Sequence, residues 1–157
     1  MSEKQDTALK TVKNYVWWSM GAGLVPFPIL DLVAVSGVQL KMLSQISKIY
    51  DIPFQESRVK AVIGSLLGFI VPESLSCVAG SALKAMPVLG TVVGASAMVV
   101  CSGAATWALG KVFIQHFESG GTFLDFDPDA VKEYFRAQFQ EGQKIAETVP
   151  AEEKVEA

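Results

Sequence analysis

The chain has 157 residues, the length of one ordinary domain, and half of them are apolar. This apolar content supports a sizeable core and excludes global disorder. The net charge is −3 and the acids concentrate after residue 117, which argues against nucleic acid as a partner because phosphate binding needs clustered Lys and Arg.

The first third of the chain predicts two helices separated by a turn. Residues 4–20 place apolar side chains at helical spacing, and glycines and prolines between residues 21 and 28 then break the helix. A second helix follows Pro28, because proline suits the first helical position, and it runs to about Tyr50. Asp31 is expected in its first turn, where the helix dipole favours a carboxylate.

Two long apolar segments come next. Glu73 is the only charged residue between residues 61 and 83, and residues 85–110 carry no charge. The second segment exceeds the roughly 20 apolar residues that a helix needs to cross a bilayer. The pattern predicts an apolar helical hairpin over about residues 58–116, which either contains a transmembrane helix or packs inside a soluble oligomer.

The hairpin is rich in glycine, and four glycines form two G-x-x-x-G pairs. In lipid, this spacing lets helix backbones approach closely, and in a soluble bundle it permits tight packing. We therefore predict that these residues mediate helix packing and self-association. They are Gly64, Gly68, Gly90 and Gly94.

The C-terminal region predicts one amphipathic helix over about residues 127–147. Asp127 suits the N-cap, and Pro128 suits the first helical position. Pro150 is expected to end the helix, and residues 149–157 form an acidic tail with a composition typical of disorder.

The predicted fold class is all-α, a bundle of five or six helices that includes the glycine-rich apolar hairpin. Residues 1–148 are expected to form a single helical domain.

The polar residues predict no catalytic, metal or cofactor site. His116 is the only histidine, and no ligand partner stands near it at metal-binding spacing. The nearest match to a phosphate loop ends at Gly110-Lys111, where Ala105 replaces the first glycine and Val112 replaces the hydroxyl residue. We expect no enzyme activity.

Cysteines and tryptophans carry less information. Cys77 and Cys101 lie in apolar stretches and are expected to be reduced core residues. Trp17, Trp18 and Trp107 fit a membrane interface, where indole rings favour the headgroup level, and they fit a protein core almost as well.

The most specific motif lies between Gly21 and Tyr50. It is a glycine-flanked V-P-x-P-x-x-D turn followed by an apolar helix that carries a glutamine and a basic residue. Its residues are Pro26, Pro28, Asp31, Gln39 and Lys41. In this motif, and on through the hairpin to Phe135, the chain resembles a bacterial domain family of uncharacterised function. That family includes YcjF-like inner-membrane proteins and domains appended to Era-like GTPases. The resemblance implies membrane association and a link to GTPases, with no catalytic residue to carry over.

The leading hypothesis is a non-catalytic, membrane-associated adaptor or scaffold that self-associates and is linked to a GTPase in trans. It would lie at the bacterial inner membrane with both termini in the cytosol. Two alternatives stay open. One is a cytoplasmic helical homo-oligomer that buries the apolar hairpin, and the other is a lipid or small-molecule carrier.

Overall fold

The computed structural model describes the backbone of residues 2–22, 28–69 and 89–156, and the side chains of residues 2–20, 37–69 and 100–146. These residues form five α-helices and one short 3₁₀ helix, with no strand among them. The α-helices are α1 (Glu3–Ala22), α2 (Pro28–Ile49), α3 (Glu56–Phe69), α4 (Leu89–Glu118) and α5 (Lys132–Glu156), and the 3₁₀ helix is Asp129–Val131. The predicted all-α class is confirmed.

Helix α4 is the centre of the bundle. It packs chiefly against α5 and α1, while α1 also packs against α2. Every residue from 101 to 110 is buried, so this part of α4 is surrounded by protein. The α1 side chains that face it recur at the helical spacing predicted from the sequence, and Val12, Val16 and Met20 are all nearly inaccessible.

Within the part of the chain that the structure describes, no helix is long and apolar enough to cross a membrane. The transmembrane helix predicted from the apolar run is therefore not found there. The apolar side chains of residues 101–110 instead form the core of the bundle, and the link between α3 and α4, residues 70–88, lies outside the described residues.

Three glycines allow the helices around α4 to approach closely. A Cβ on Gly142 of α5 would lie 2.9 Å from both the Cα and the carbonyl oxygen of Ala104 in α4. A Cβ on Gly103 would lie 2.9 Å from the Met20 side chain, and one on Gly110 would overlap the Val12 side chain. The α4–α5 contact is the strictest of the three, because its opposing atoms are backbone and cannot rotate away.

The glycines predicted to pack are different ones. Gly64 and Gly68 lie on the exposed face of α3, and a Cβ on either would meet nothing within 4 Å. Gly90 and Gly94 lie in the first turns of α4, where the surroundings of the side-chain positions are outside the described residues. Their role in packing between copies stays a prediction.

Cys101 is disulfide-bonded, so the prediction of a reduced core cysteine is wrong. The sequence contains one other cysteine, Cys77, which lies outside the described residues. Apolar surroundings suit a thiol and a disulfide equally, and for this reason the sequence pattern did not separate them.

Both ends of the predicted C-terminal helix differ slightly from expectation. The predicted N-cap at Asp127 is wrong: Pro128 holds the N-cap position of a 3₁₀ turn that precedes α5, with no side-chain capping bond, while Asp127 Oδ1 accepts a hydrogen bond from the Asp129 N–H at 3.1 Å just before it. At the other end α5 passes through Pro150 and continues to Glu156. Inside a helix, proline keeps a helical φ but removes one backbone hydrogen bond and crowds the carbonyl of the preceding turn, which is why the sequence favoured an end at this position.

We predict that Gly142→Ala destabilises the protein by about 1–3 kcal/mol, because the new methyl group forces the α4 backbone away. Gly37→Ala is the matched control. Gly37 is an exposed glycine of α2 with nothing within 4 Å of its Cβ position, so alanine there should stabilise the helix by about 0.5–1 kcal/mol. Urea unfolding followed by circular dichroism measures both, and equal effects at the two positions would contradict the close-packing interpretation.

Candidate functional site

The structure separates the residues of the predicted α2 motif. Pro28 begins α2, and Asp31 follows in its first turn, although the Asp31 side chain and all of Pro26 lie outside the described residues. Gln39 is fully buried, whereas Lys41 is exposed. The described part of the motif therefore contributes one residue to the core and one to the surface, and does not form a single site.

Gln39 belongs to a buried polar layer between α2 and α4. Its Nε2 donates to the Thr106 hydroxyl at 3.4 Å, and both residues are fully buried. Its Oε1 finds no hydrogen-bond partner among the described residues. An unsatisfied buried carbonyl typically costs about 1–3 kcal/mol, so the Gln39 side chain lowers the stability of the core by an amount of this order.

A second polar contact joins α1 to α4 in the same core. The buried Ser19 hydroxyl lies 2.8 Å from the Val16 carbonyl and 3.3 Å from the Ser102 carbonyl. Four polar residues, Ser19, Gln39, Ser102 and Thr106, thus lie between helices that are otherwise apolar. None of them titrates, so the layer offers no acid–base pair. It suits fixing the register of the helices, as buried polar groups do in some bundles.

The loop after α4 is organised by His116, for which the sequence predicted no metal-ligand partner. Its Nε2 lies 2.8 Å from the Thr122 carbonyl and 3.2 Å from Asp125 Oδ1. Both of these atoms are acceptors, so Nε2 must carry a proton. Asp125 Oδ1 also accepts a hydrogen bond from the Thr122 N–H at 2.6 Å. Gly121 packs so closely on the imidazole that a Cβ would overlap it.

The hydrogen bonds around Asp125 alter its acidity. Its pKa lies below its ordinary value of 3.8, first because the Thr122 N–H bonds the carboxylate and then because of His116. The carboxylate remains exposed to water. The arrangement therefore resembles a loop clamp rather than a desolvated acid or base.

Aromatic rings and an arginine attach this loop to the bundle. Phe126 stacks on Phe113 of α4 with ring centroids 4.6 Å apart, and Phe123 lies 5.3 Å from the same ring. Arg58 of α3 donates from Nε to the Phe123 carbonyl at 3.0 Å and from Nη2 to the Leu124 carbonyl at 2.9 Å. These contacts tie α3 to the α4–α5 connection.

Glu118, at the end of α4, joins the first two helices to this side of the molecule. Its Oε1 accepts hydrogen bonds from the Tyr50 hydroxyl at 2.6 Å and from the Ser2 hydroxyl at 2.8 Å. These bonds lower the pKa of Glu118, and burial together with Glu118 raises the pKa of Tyr50. Lys4 and Asp51 form an exposed ion pair of 3.5 Å nearby.

The described side chains suggest structural roles rather than chemistry. Among them, no group of three or more His, Cys, Asp and Glu residues could hold a metal ion. The segment that distantly matches a phosphate loop, Ala105 to Val112, lies inside α4. Its backbone N–H groups point along the helix and cannot cradle a phosphate as a loop would.

The helical architecture, the buried polar layer and the clamped loop define a small all-α bundle domain. The chain belongs to the family described as a domain of unknown function, DUF697, whose model matches residues 1–144. The predicted membership of an uncharacterised domain family is confirmed.

A curated relative covers nearly the whole chain. Over 147 residues the chain is 36% identical to magnetosome membrane protein 22 of Magnetospirillum gryphiswaldense. The aligned residues cover 93% of this chain and 75% of that protein. No solved structure matches the chain.

We predict that Asp125→Asn lowers the melting temperature at neutral pH, because the carboxylate that holds Thr122 and His116 is lost. The folded-state pKa of Asp125 is depressed, so its stabilisation is present above the unfolded-state pKa near 4 and is lost as the pH falls through the lower folded-state value. The difference in melting temperature between wild type and variant should therefore shrink as the pH falls below about 4.

Glu141→Gln is the control for this experiment, because it removes the same charge from an exposed position of α5. Differential scanning fluorimetry between pH 2 and pH 7 measures all three proteins. Indistinguishable pH profiles for the two variants would show that the loop clamp contributes nothing.

Proposed function

We propose that this protein is a non-catalytic, membrane-associated adaptor or scaffold. The observation that carries the proposal is its similarity along 93% of its length to a magnetosome membrane protein. A relative that covers one chain almost completely shares its whole domain and not only an isolated motif. The described side chains support the non-catalytic part of the proposal, because their polar contacts join helices and clamp a loop.

The proposal includes self-association. Gly64 and Gly68 form an exposed, uncovered strip on α3, together with the equally exposed and small Ala61 and Ser65. Small residues on an open helix face let a second helix approach closely. Gly90 and Gly94 repeat the spacing in α4. The α3 strip is the stronger candidate, because nothing in the same chain lies within 4 Å of the Cβ positions of Gly64 and Gly68.

The most specific part of the proposal is a link to a GTPase in trans. It depends on the resemblance of the α2 motif to domains appended to Era-like GTPases. Lys41 is the described motif residue that is available to a partner, since it is exposed. We place the protein at the bacterial inner membrane with its termini in the cytosol.

A second candidate is a cytoplasmic helical homo-oligomer. The observation that favours its cytoplasmic location is the complete burial of residues 101–110, the described end of the apolar run, against α1 and α5. A helix segment covered by protein in this way needs no lipid around it.

We expect the full-length protein to sediment with the membrane fraction of its host cells, because the proposal requires contact with lipid or with a membrane protein. Fractionation by ultracentrifugation, followed by separate washes with carbonate and with detergent, distinguishes the candidates. Recovery of the protein in the cytosolic fraction as a homo-oligomer would support the second candidate and contradict the first.

We expect Gly64→Ile with Gly68→Ile to shift the oligomer distribution toward smaller species, since the larger side chains keep a second helix away. The monomer fold should survive, because both positions face open space. Alanine at the same two positions adds less bulk and serves as the graded control. Light scattering of the purified proteins measures the mass, and an unchanged mass in the isoleucine variant would exclude this strip as the contact.

A further inference from the structure

The outer face of α1 has an unusual pair of exposed aromatic residues. Trp18 is 70% exposed and Trp17 is 40% exposed, whereas Trp107, the third tryptophan, is 4% exposed in the core. An exposed indole carries a large apolar area that a solvated surface does not require. Two consecutive exposed tryptophans therefore mark a contact surface.

Lysines accompany the tryptophans on the same face. Exposed residues of α1 recur at spacings of three and four, which places them on one side of the helix. We call this set the α1 face, and it consists of Lys10, Lys13, Asn14, Trp17 and Trp18. Between Thr7 and Met20 the helix has no acidic residue. The exposed acids Glu3 and Asp6 lie on the same side of α1, one turn or more before Lys10, so the α1 face is positive only along the part of the helix that carries the tryptophans.

The neighbouring helix α2 also carries exposed lysines. Helix α2 packs against α1, and its described part, residues 37–49, also has no acidic residue. Lys41 and Lys48 are both exposed. The α1 face itself carries two tryptophans and two lysines on a protein whose net charge is −3.

We propose that the α1 face binds the surface of an anionic lipid bilayer, with Trp17 and Trp18 at headgroup level and Lys10 and Lys13 against the lipid phosphates. The inference rests on the proposed membrane association and names the surface that makes it. Indole rings favour the headgroup region, and lysine side chains extend along apolar surface while their ammonium groups stay in water. Protein–protein interfaces are rich in tryptophan but depleted in lysine, so the mixture favours lipid over a protein partner.

The test uses the full-length protein and large vesicles, with phosphatidylcholine alone or mixed equally with phosphatidylglycerol. Wild type should sediment with the anionic vesicles and not with the neutral ones. Lys10→Gln with Lys13→Gln should weaken this binding about 25-fold, since each lysine near an anionic surface is worth about fivefold. Trp17→Ser with Trp18→Ser should abolish it.

Matched controls come from other faces of the molecule. Lys60→Gln with Lys144→Gln removes two exposed lysines from α3 and α5, and Leu124→Ser removes the remaining large exposed apolar side chain among the described residues. Both controls should bind like wild type. Circular dichroism should show that all variants keep the helical content of wild type.

Fluorescence quenching by brominated lipid gives a second readout. Bromines near the headgroups should quench wild type, while the Trp17→Ser, Trp18→Ser variant retains only the buried Trp107 and should not be quenched. Quenching that persists in this variant would overturn the proposal, because a different surface would then face the lipid.

The remaining outcomes separate the inference from the proposed function. If wild type sediments with cell membranes but the α1-face variants do so equally well, the inference fails and membrane association stands. If wild type binds no vesicle and remains in the cytosol, both fail. If wild type binds no vesicle and the tryptophan variant has a smaller mass by light scattering, the α1 face joins two copies of the chain and the inference is wrong.

Discussion

The close approach of α5 to α4 at Gly142 is the constraint on which the arrangement of the bundle depends. At this position the side chain is a hydrogen, and the Ala104 backbone occupies the place where a Cβ would stand. Gly103 and Gly110 repeat the principle on the other side of α4, where Met20 and Val12 of α1 fill the space. Helix axes usually lie 8–10 Å apart according to the side chains at the contact, so glycine at the crossing permits the short end of that range. Once α4 is fixed between two helices in this way, its small residues become buried on every side.

The polar layer follows from that burial. Gln39 and Ser19 reach α4 from α2 and α1, and they meet Thr106 and Ser102 where the helices are already close. A long hydrogen bond and an unsatisfied carbonyl make the Gln39 contact weak in net stability. A sliding of α2 along α4 would nevertheless leave the Gln39 amide without any partner, so the layer resists a change of register even though it adds little stability.

Local periodicity was enough to predict the helices, because apolar spacing and proline position are properties of short segments. The all-α class and the α1 stripe of Val12 and Val16 therefore followed from the sequence. The partners across each contact did not follow. Gly64 and Gly142 are both glycines in amphipathic helices. Gly64 faces open space, whereas Gly142 faces the backbone of Ala104.

The site residues show the same limit. Asp125 stands nine residues after His116, and only the turn at Gly120 and Gly121 brings it to the imidazole. Gly120 has a φ of 87°, a conformation that favours glycine. The glycine pair is visible in the sequence and predicts a tight turn. A tight turn between His116 and Asp125 would bring the two side chains together, and this is the sequence signal from which the contact could have been predicted. For the tryptophans no such signal exists, because exposure depends on which helices cover each one.

The burial of α4 also limits how the protein can meet a membrane. The same apolar side chains cannot fill the core of a bundle and face lipid at once, since covering them with α1 and α5 already removes them from any outside contact. The described end of the apolar run, residues 101–110, lies inside the bundle. Contact with lipid through this part must then use residues that the bundle leaves outside, and large apolar side chains there are few: Trp17, Trp18 and Leu124. Leu124 stands alone on a loop near Asp125 and Asp127, whose charge would repel an anionic surface, whereas the two tryptophans share their helix face with lysines. The described end of the apolar run therefore belongs to the core of the bundle. The surface that can contact lipid is identified by its exposed apolar side chains, Trp17 and Trp18.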